Sequence, residues 1–146
     1  MVNNGPTMAV VTQHIELSTH GDAEVVDITG PVLNGIAKSG LRDGIGCIFV
    51  PGSTGGVTTI EYEPGCVADL QRLFDQIAPE GRDYEHEKRW GDGNGHSHLR
   101  AALLGPSLSF PFSEGAPALG TWQQIVFVDF DNRARKRRLV LQLVGE

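Results

Sequence analysis

Cysteine is scarce, with two residues in a chain of 146. Cys47 and Cys66 stand far apart and form no Cys-x-x-Cys pair, so neither a zinc knuckle nor a redox motif of that kind is supported. Cys47 lies in an apolar run and is expected to act as a small buried residue. Basic residues are outnumbered, with 12 Lys and Arg against 18 Asp and Glu and a formal charge of −6. That balance argues against a general nucleic-acid binder and fits a soluble protein held apart from its copies by charge. No stretch approaches the roughly 20 apolar residues of a membrane span. The first six residues lack the basic start and apolar run of a signal peptide. These absences predict a cytoplasmic protein with neither a nucleic-acid nor a membrane partner. The Gly-Lys-Ser/Thr ending of a Walker loop is missing too, and nothing identifies a Ser-His-Asp triad.

What is present is an ordinary globular mix, 40% hydrophobic and 21% charged, long enough to bury one core. Residues 1–8 read as a flexible tail and 9–146 as a single domain. Val11, Ile15 and Leu17 alternate with polar positions, which predicts a strand over 9–17. A second strand is expected over 23–28. Thr29-Gly30-Pro31 resembles a helix start and Gly40 a helix stop, giving a helix over 29–39. Strands are expected over 44–50 and 57–62, separated by the turn-rich 51–56. Pro64 opens a second helix with Val67, Leu70, Phe74 and Ile77 on one face. Residues 79–95 have no apolar period and read as a long loop carrying Tyr84, His86, Trp90, Asp92 and Asn94. A short third helix over 96–104 follows. Then come strands over 107–112, 121–130 and 135–144, the last two read as a hairpin around 131–134. The order predicts an α+β fold: one mixed, largely antiparallel sheet, two main helices and a short third.

The chemistry-bearing residues concentrate in the long loop. His86, His96 and His98 surround Asp92 and Asn94, and imidazole with carboxylate is a metal-binding or proton-moving set. On a helix, His96 and His98 would point about 200° apart, so only one of them serves a single site. The deeper one, His98, is the choice. Glu61 and Glu63 flank Tyr62 where a strand meets the second helix; either they join a site or one of them caps the helix. Ser53 and Thr54, in a Gly-bordered turn, could hold an anion. Arg133, Arg135, Lys136, Arg137 and Arg138 form a basic cluster that reads either as a solvated strand edge or as a partner surface.

Several segments resemble a known family. Gly91-Asp92-Gly93-Asn94-Gly95-His96-Ser97-His98-Leu99-Arg100-Ala101-Ala102-Leu103-Leu104-Gly105-Pro106-Ser107 is similar to the signature of the YjbQ-like family, also called the secondary thiamine-phosphate synthase family. Leu119-Gly120-Thr121-Trp122-Gln123-Gln124-Ile125 resembles its second signature. Ser39-Gly40-Leu41-Arg42-Asp43-Gly44 and Tyr84-Glu85-His86 match further segments. The resemblance implies a compact α+β homotrimer whose site, built from histidines and acids, lies near a subunit boundary. It implies weak condensation of a pyrimidine diphosphate with a thiazole phosphate. His98, His86 and Glu61 are then the catalytic candidates. A divalent metal, zinc or magnesium, would be held among His86, His96, His98, Asp92 and Glu61. Ser53, Thr54, Asn94, Thr121 and Gln123 would contact a small phosphorylated ligand or anion. One position departs: Gly52 stands where the family has a histidine. The alternative reading is a non-catalytic trimer that binds a metal or an anion and has lost that histidine.

Overall fold

The computed structural model describes residues 5–146. Residues 1–4 of the expected tail lie outside the described residues, and residues 5–8 are exposed and precede the first strand. In chain order the elements are β1 (Ala9–Thr19), β2 (Glu24–Asp27), α1 (Thr29–Ser39), β3 (Gly44–Phe49), β4 (Gly55–Ile60) and α2 (Pro64–Ile77). Then follow α3 (Glu85–Trp90), α4 (Gly95–Leu104), β5 (Ser107–Ser113), β6 (Ala116–Pro117), β7 (Gln124–Asp129) and β8 (Arg135–Gly145). The α+β class stands, but the strands form two sheets rather than one. Five strands run in the order β1-β8-β3-β5-β6 and three in the order β2-β7-β4, and every pairing is antiparallel.

Burial explains the layering. The inward side chains of β8, Leu139, Leu141 and Leu143, meet Val32 and Ile36 of α1 and Val57, Ile125 and Phe127 of the smaller sheet. The opposite face of the smaller sheet, Val126 and Val128 with Phe130 beyond it, is covered by Phe74 of α2 and Ala101 of α4. The β7 strand is therefore buried on both faces, which is why it reads as an unbroken apolar run. Helix α2 opens as the sequence suggests for a capped start: the Glu63 carboxylate accepts from the N–H groups of Gly65 and Cys66, and Pro64 sits in the first turn.

Four expectations need correction. The strands over 121–130 and 135–144 are not a hairpin, because β7 pairs with β2 and β4 while β8 pairs with β1 and β3. Each strand's edges are already taken, and residues 130–134 carry the chain from one sheet to the other. The β7 strand also starts later than expected. Gln123 closes a turn with Gly120 through both its N–H and its side-chain oxygen, so Thr121 and Trp122 stay outside the sheet. The loop over 79–95 contains α3. Its helix has acids in the first turn, bases in the last and a left-handed Gly91 at its end, an arrangement that suits the helix dipole. It buries no residue, so it has no apolar period to read. Finally, Cys47 is half-buried rather than buried. It alternates with buried Gly46 and Ile48 and faces outward from the larger sheet.

Among the described residues no helix is long and apolar enough to cross a membrane.

Candidate functional site

Three segments meet at the amino-terminal end of α4. The first is α3, which begins at Glu85 and carries His86. The second is the Gly-rich turn 91–94, which carries Asp92 and Asn94. The third is the turn 51–54, which lies beside the first residues of α4. Gly95 is what lets α4 come so close to α3: a Cβ there would lie 2.7 Å from the Cβ of Tyr84, so only glycine fits.

Glu87 ties these pieces together. Its carboxylate accepts the N–H of Gly93 and the N–H of Gly95, each at 2.6 Å. Burial pushes its pKa up, but the two N–H bonds, with His86 beside it, hold it below the usual glutamate range. A fixed anion thus occupies the positive end of α4 and pins the turn that presents Asp92.

Within this frame His86, Asp92 and His98 converge. One ligand atom from each lies within 4.8 Å of the other two. The rings of His86 and His98 are 4.5 Å apart between centroids. His86 Nδ1 faces Asp92 Oδ1 and Glu87 Oε1, each at 3.5 Å. It is buried and makes no hydrogen bond. Native structures leave few such groups unpaired. His98 is set differently. Its Nδ1 lies 3.0 Å from the carbonyl oxygen of Ser53, and because a carbonyl only accepts, Nδ1 must carry the proton. That leaves Nε2 with its lone pair, as in a histidine prepared to bind a metal. Asp92 Oδ1 accepts the N–H of Asn94, which fixes the carboxylate. Two imidazoles and a carboxylate, one of the imidazole nitrogens buried and unpartnered, fit a divalent cation with room for further ligands.

A cavity of about 500 Å³ opens over this group, lined among others by Arg82, Tyr84, His86, His98 and Leu99. A second, of about 240 Å³, lies against His98 on the side of Gly52, Ser53 and Ala101.

The other expected site residues lie elsewhere. His96 and His98 diverge as helical spacing requires. His96 is 2% exposed and has Ser97 and Arg100 as neighbours; burial and then the Arg100 charge lower its pKa. It is not among the converging ligands. Glu61 is exposed at the end of β4, and its side chain stands outside the group. Thr121 is exposed, and Gln123 is engaged with Gly120 and Thr59.

Thr54 and Asn94 belong to a buried polar network that sequence reading missed. Asp129 and Asp131 are both fully buried. Arg137 grips Asp129 through Nε (2.8 Å) and Nη2 (2.7 Å). Arg135 donates to Asp131 at 3.0 Å. Thr54 donates to Asp131 and accepts from Arg137, and Asn94 donates to Asp131. Two of the cluster's five basic side chains, Arg135 and Arg137, are therefore spent on buried carboxylates. Part of the signal was available: Arg135 and Arg137 share one parity and so point to one side of β8, whereas Asp131 lies beyond the end of β7, where strand alternation does not apply.

Comparison with known proteins is consistent along the whole chain. Residues 13–146 match the family described as UPF0047 protein YjbQ-like. A UPF0047 protein of Methanothermobacter thermautotrophicus is 36% identical over 142 residues, covering 97% of each chain. The UPF0047 protein YugU of Bacillus subtilis is 32% identical over 133 residues, covering 90% of this chain and 97% of its own. Among solved structures, a YbjQ-like protein of unknown function from Sulfolobus solfataricus superposes with a TM-score of 0.91 at 35% identity, over 96% of this chain and 100% of that one. A hypothetical protein from Aeropyrum pernix gives 0.86 at 31% identity, over 93% and 99%. With the fold, the matched length and these identities in agreement, the chain belongs to the YjbQ-like, UPF0047 family.

Proposed function

We propose that this chain binds a divalent metal ion through His86, Asp92 and His98 and uses it to handle a small phosphorylated molecule in the adjoining cavity. The observation that carries the reading is the buried, unpartnered Nδ1 of His86. Two nitrogen ligands favour zinc or a similar ion over magnesium, which prefers an all-oxygen shell. The bound ion would supply charge neutralisation for a phosphate or diphosphate group. The chain's own part is positioning. Glu87 and Asn94 hold the turn of Asp92, Ser53 orients the His98 ring, and Tyr84 and Leu99 line the cavity. The reaction that the family resemblance suggests, joining a pyrimidine diphosphate to a thiazole phosphate, needs such neutralisation as diphosphate leaves.

Metal content tests this first. Elemental mass spectrometry of tag-free protein is expected to find close to one metal ion per chain, falling at least about tenfold in His98→Ala. Metal-free wild type after incubation with zinc, or an unchanged content in His98→Ala, would overturn the assignment. An assay with the two phosphorylated precursors then separates a synthase from a binding protein.

Self-assembly as a trimer is part of the same proposal. On the outer face of the larger sheet, Val10, Val144, Ile45 and Pro111 lie side by side across four strands. Val10 is 65% exposed and Ile45 62%. No described element covers them, and an apolar row of this kind favours burial against another copy. Light scattering is expected to give a mass near three chains, and Ile45→Asp to lower it. A wild-type monomer would sink the trimer, and an unaltered Ile45→Asp trimer would sink this face as its interface.

A further inference from the structure

The hydroxyl of Thr54 is spent inside the protein, but the guanidinium that takes part in spending it has a free edge. Arginine carries five N–H donors. In Arg137, Nε donates to Asp129, and Nη2 donates to Asp129 and to Thr54. The two N–H groups of Nη1 remain. The Arg137 side chain is 10% exposed, so this edge is held rigidly by the network rather than waving in solvent.

Nη1 faces the turn at Gly52. A Cβ on Gly52 would lie 3.5 Å from it, so any side chain there would stand before the donor. The backbone at Gly52 has φ +138°, a conformation that suits glycine. Gly52 and Ser53 also line the cavity of about 240 Å³ that borders His98. Among the described residues the N–H groups of Gly52 and Ser53 meet no acceptor. A guanidinium edge with neighbouring free backbone N–H groups is the chemistry that binds an oxyanion. Local charge does not oppose it, because Arg135 and Arg137 balance Asp131 and Asp129.

We propose that the Gly52 turn is an oxyanion subsite, with Arg137 Nη1 as its anchor and phosphate or pyrophosphate groups as its ligand. The missing side chain at position 52 is then what opens the subsite. That the same ligand's other end reaches His86, Asp92 and His98 rests on the function proposed above. The subsite itself does not need the metal.

The test uses full-length, chelator-treated protein and inorganic pyrophosphate as the probe. Calorimetry is expected to show binding without metal. In protein labelled with ¹⁵N-arginine, the Arg137 side-chain signals, assigned from Arg137→Lys, are expected to move on titration. Gly52→Ala should weaken binding by about tenfold or more, the loss expected when a hydrogen bond to a charged group is blocked. Its melting curve shows whether it is folded. Lys136→Ala, an exposed neighbour on β8, should bind as wild type. Failure of the metal assignment would appear in metal content and leave this binding intact. Binding that needs metal, that leaves the Arg137 signals still, or that is lost in Lys136→Ala and kept in Gly52→Ala would overturn the subsite.

Discussion

Asp129→Ala is expected to cost about 3–5 kcal/mol of stability, the usual penalty for removing one partner of a buried ion pair. Asp129 is fully buried and takes two bonds from Arg137, one from Thr19 and one from the N–H of Asp131. Its loss leaves a nine-tenths buried guanidinium without its carboxylate, strands the N–H of Asp131 and leaves the Thr19 hydroxyl only the carbonyl oxygen of Arg135. Against a total stability of about 5–15 kcal/mol for an ordinary domain, that is a large share. Asp129→Asn keeps the shape and loses the charge, so a smaller loss is expected. Urea unfolding at fixed protein concentration measures both, and a shift under about 1 kcal/mol in Asp129→Ala would refute the role.

The same network predicts an acid limb. Burial raises the pKa of Asp131, but bonds from Asn94, Thr54 and Arg135 outweigh it and hold it below its ordinary 3.8. A carboxylate with a lowered folded pKa contributes stability that is fully present above its unfolded value. The contribution is lost as pH falls from about 3.8 through the folded value. Unfolding profiles of Asp131→Asn should therefore be flatter than wild type in that range.

The network also explains what the sequence could and could not tell. Helices α1 and α2 were legible because their starts carry Thr-Gly-Pro and Glu-Pro and their buried faces recur at helical spacing. Helix α3 was not, because it is held by charge and by a glycine stop and buries nothing. An unbroken apolar run made β7 legible as a strand and alternation did so for β8, but whether consecutive strands pair or part into two sheets depends on which neighbours claim their edges. For the candidate site, the histidines stood out by type, and the about 200° divergence on a helix correctly separated His96 from His98. What pattern could not supply was distance. Glu61 looked like a ligand beside Glu63, yet Glu63 caps α2 and Glu61 faces solvent. Thr54 looked like a phosphate contact, yet its hydroxyl bridges Asp131 and Arg137. Burial decides such cases, and burial is set by residues far along the chain.

Zinc should raise the melting temperature of the chelated protein, and the pattern among variants separates the ligands. A ligand that binds only the folded state stabilises it by about 2.7 kcal/mol at a hundred times its Kd. For a domain of this length each kcal/mol moves Tm by about 2–4 °C, so the shift is roughly 5–10 °C. The site is suited to it: Glu87 and Asn94 already fix the turn of Asp92, and Ser53 already orients His98, so little ordering entropy opposes binding. Magnesium at equal concentration should shift Tm less, since two of the three ligands are imidazoles. His86→Ala and His98→Ala should lose the zinc shift, and His96→Gln should keep it. Glu61→Ala is the informative case. Within one chain its carboxylate stands apart from the group, so the shift should survive. If Glu61→Ala removes the shift in the assembled protein and leaves it in the dissociated Ile45→Asp form, the glutamate is supplied by a neighbouring copy. A shift that survives in both His86→Ala and His98→Ala would place the zinc elsewhere and refute the centre.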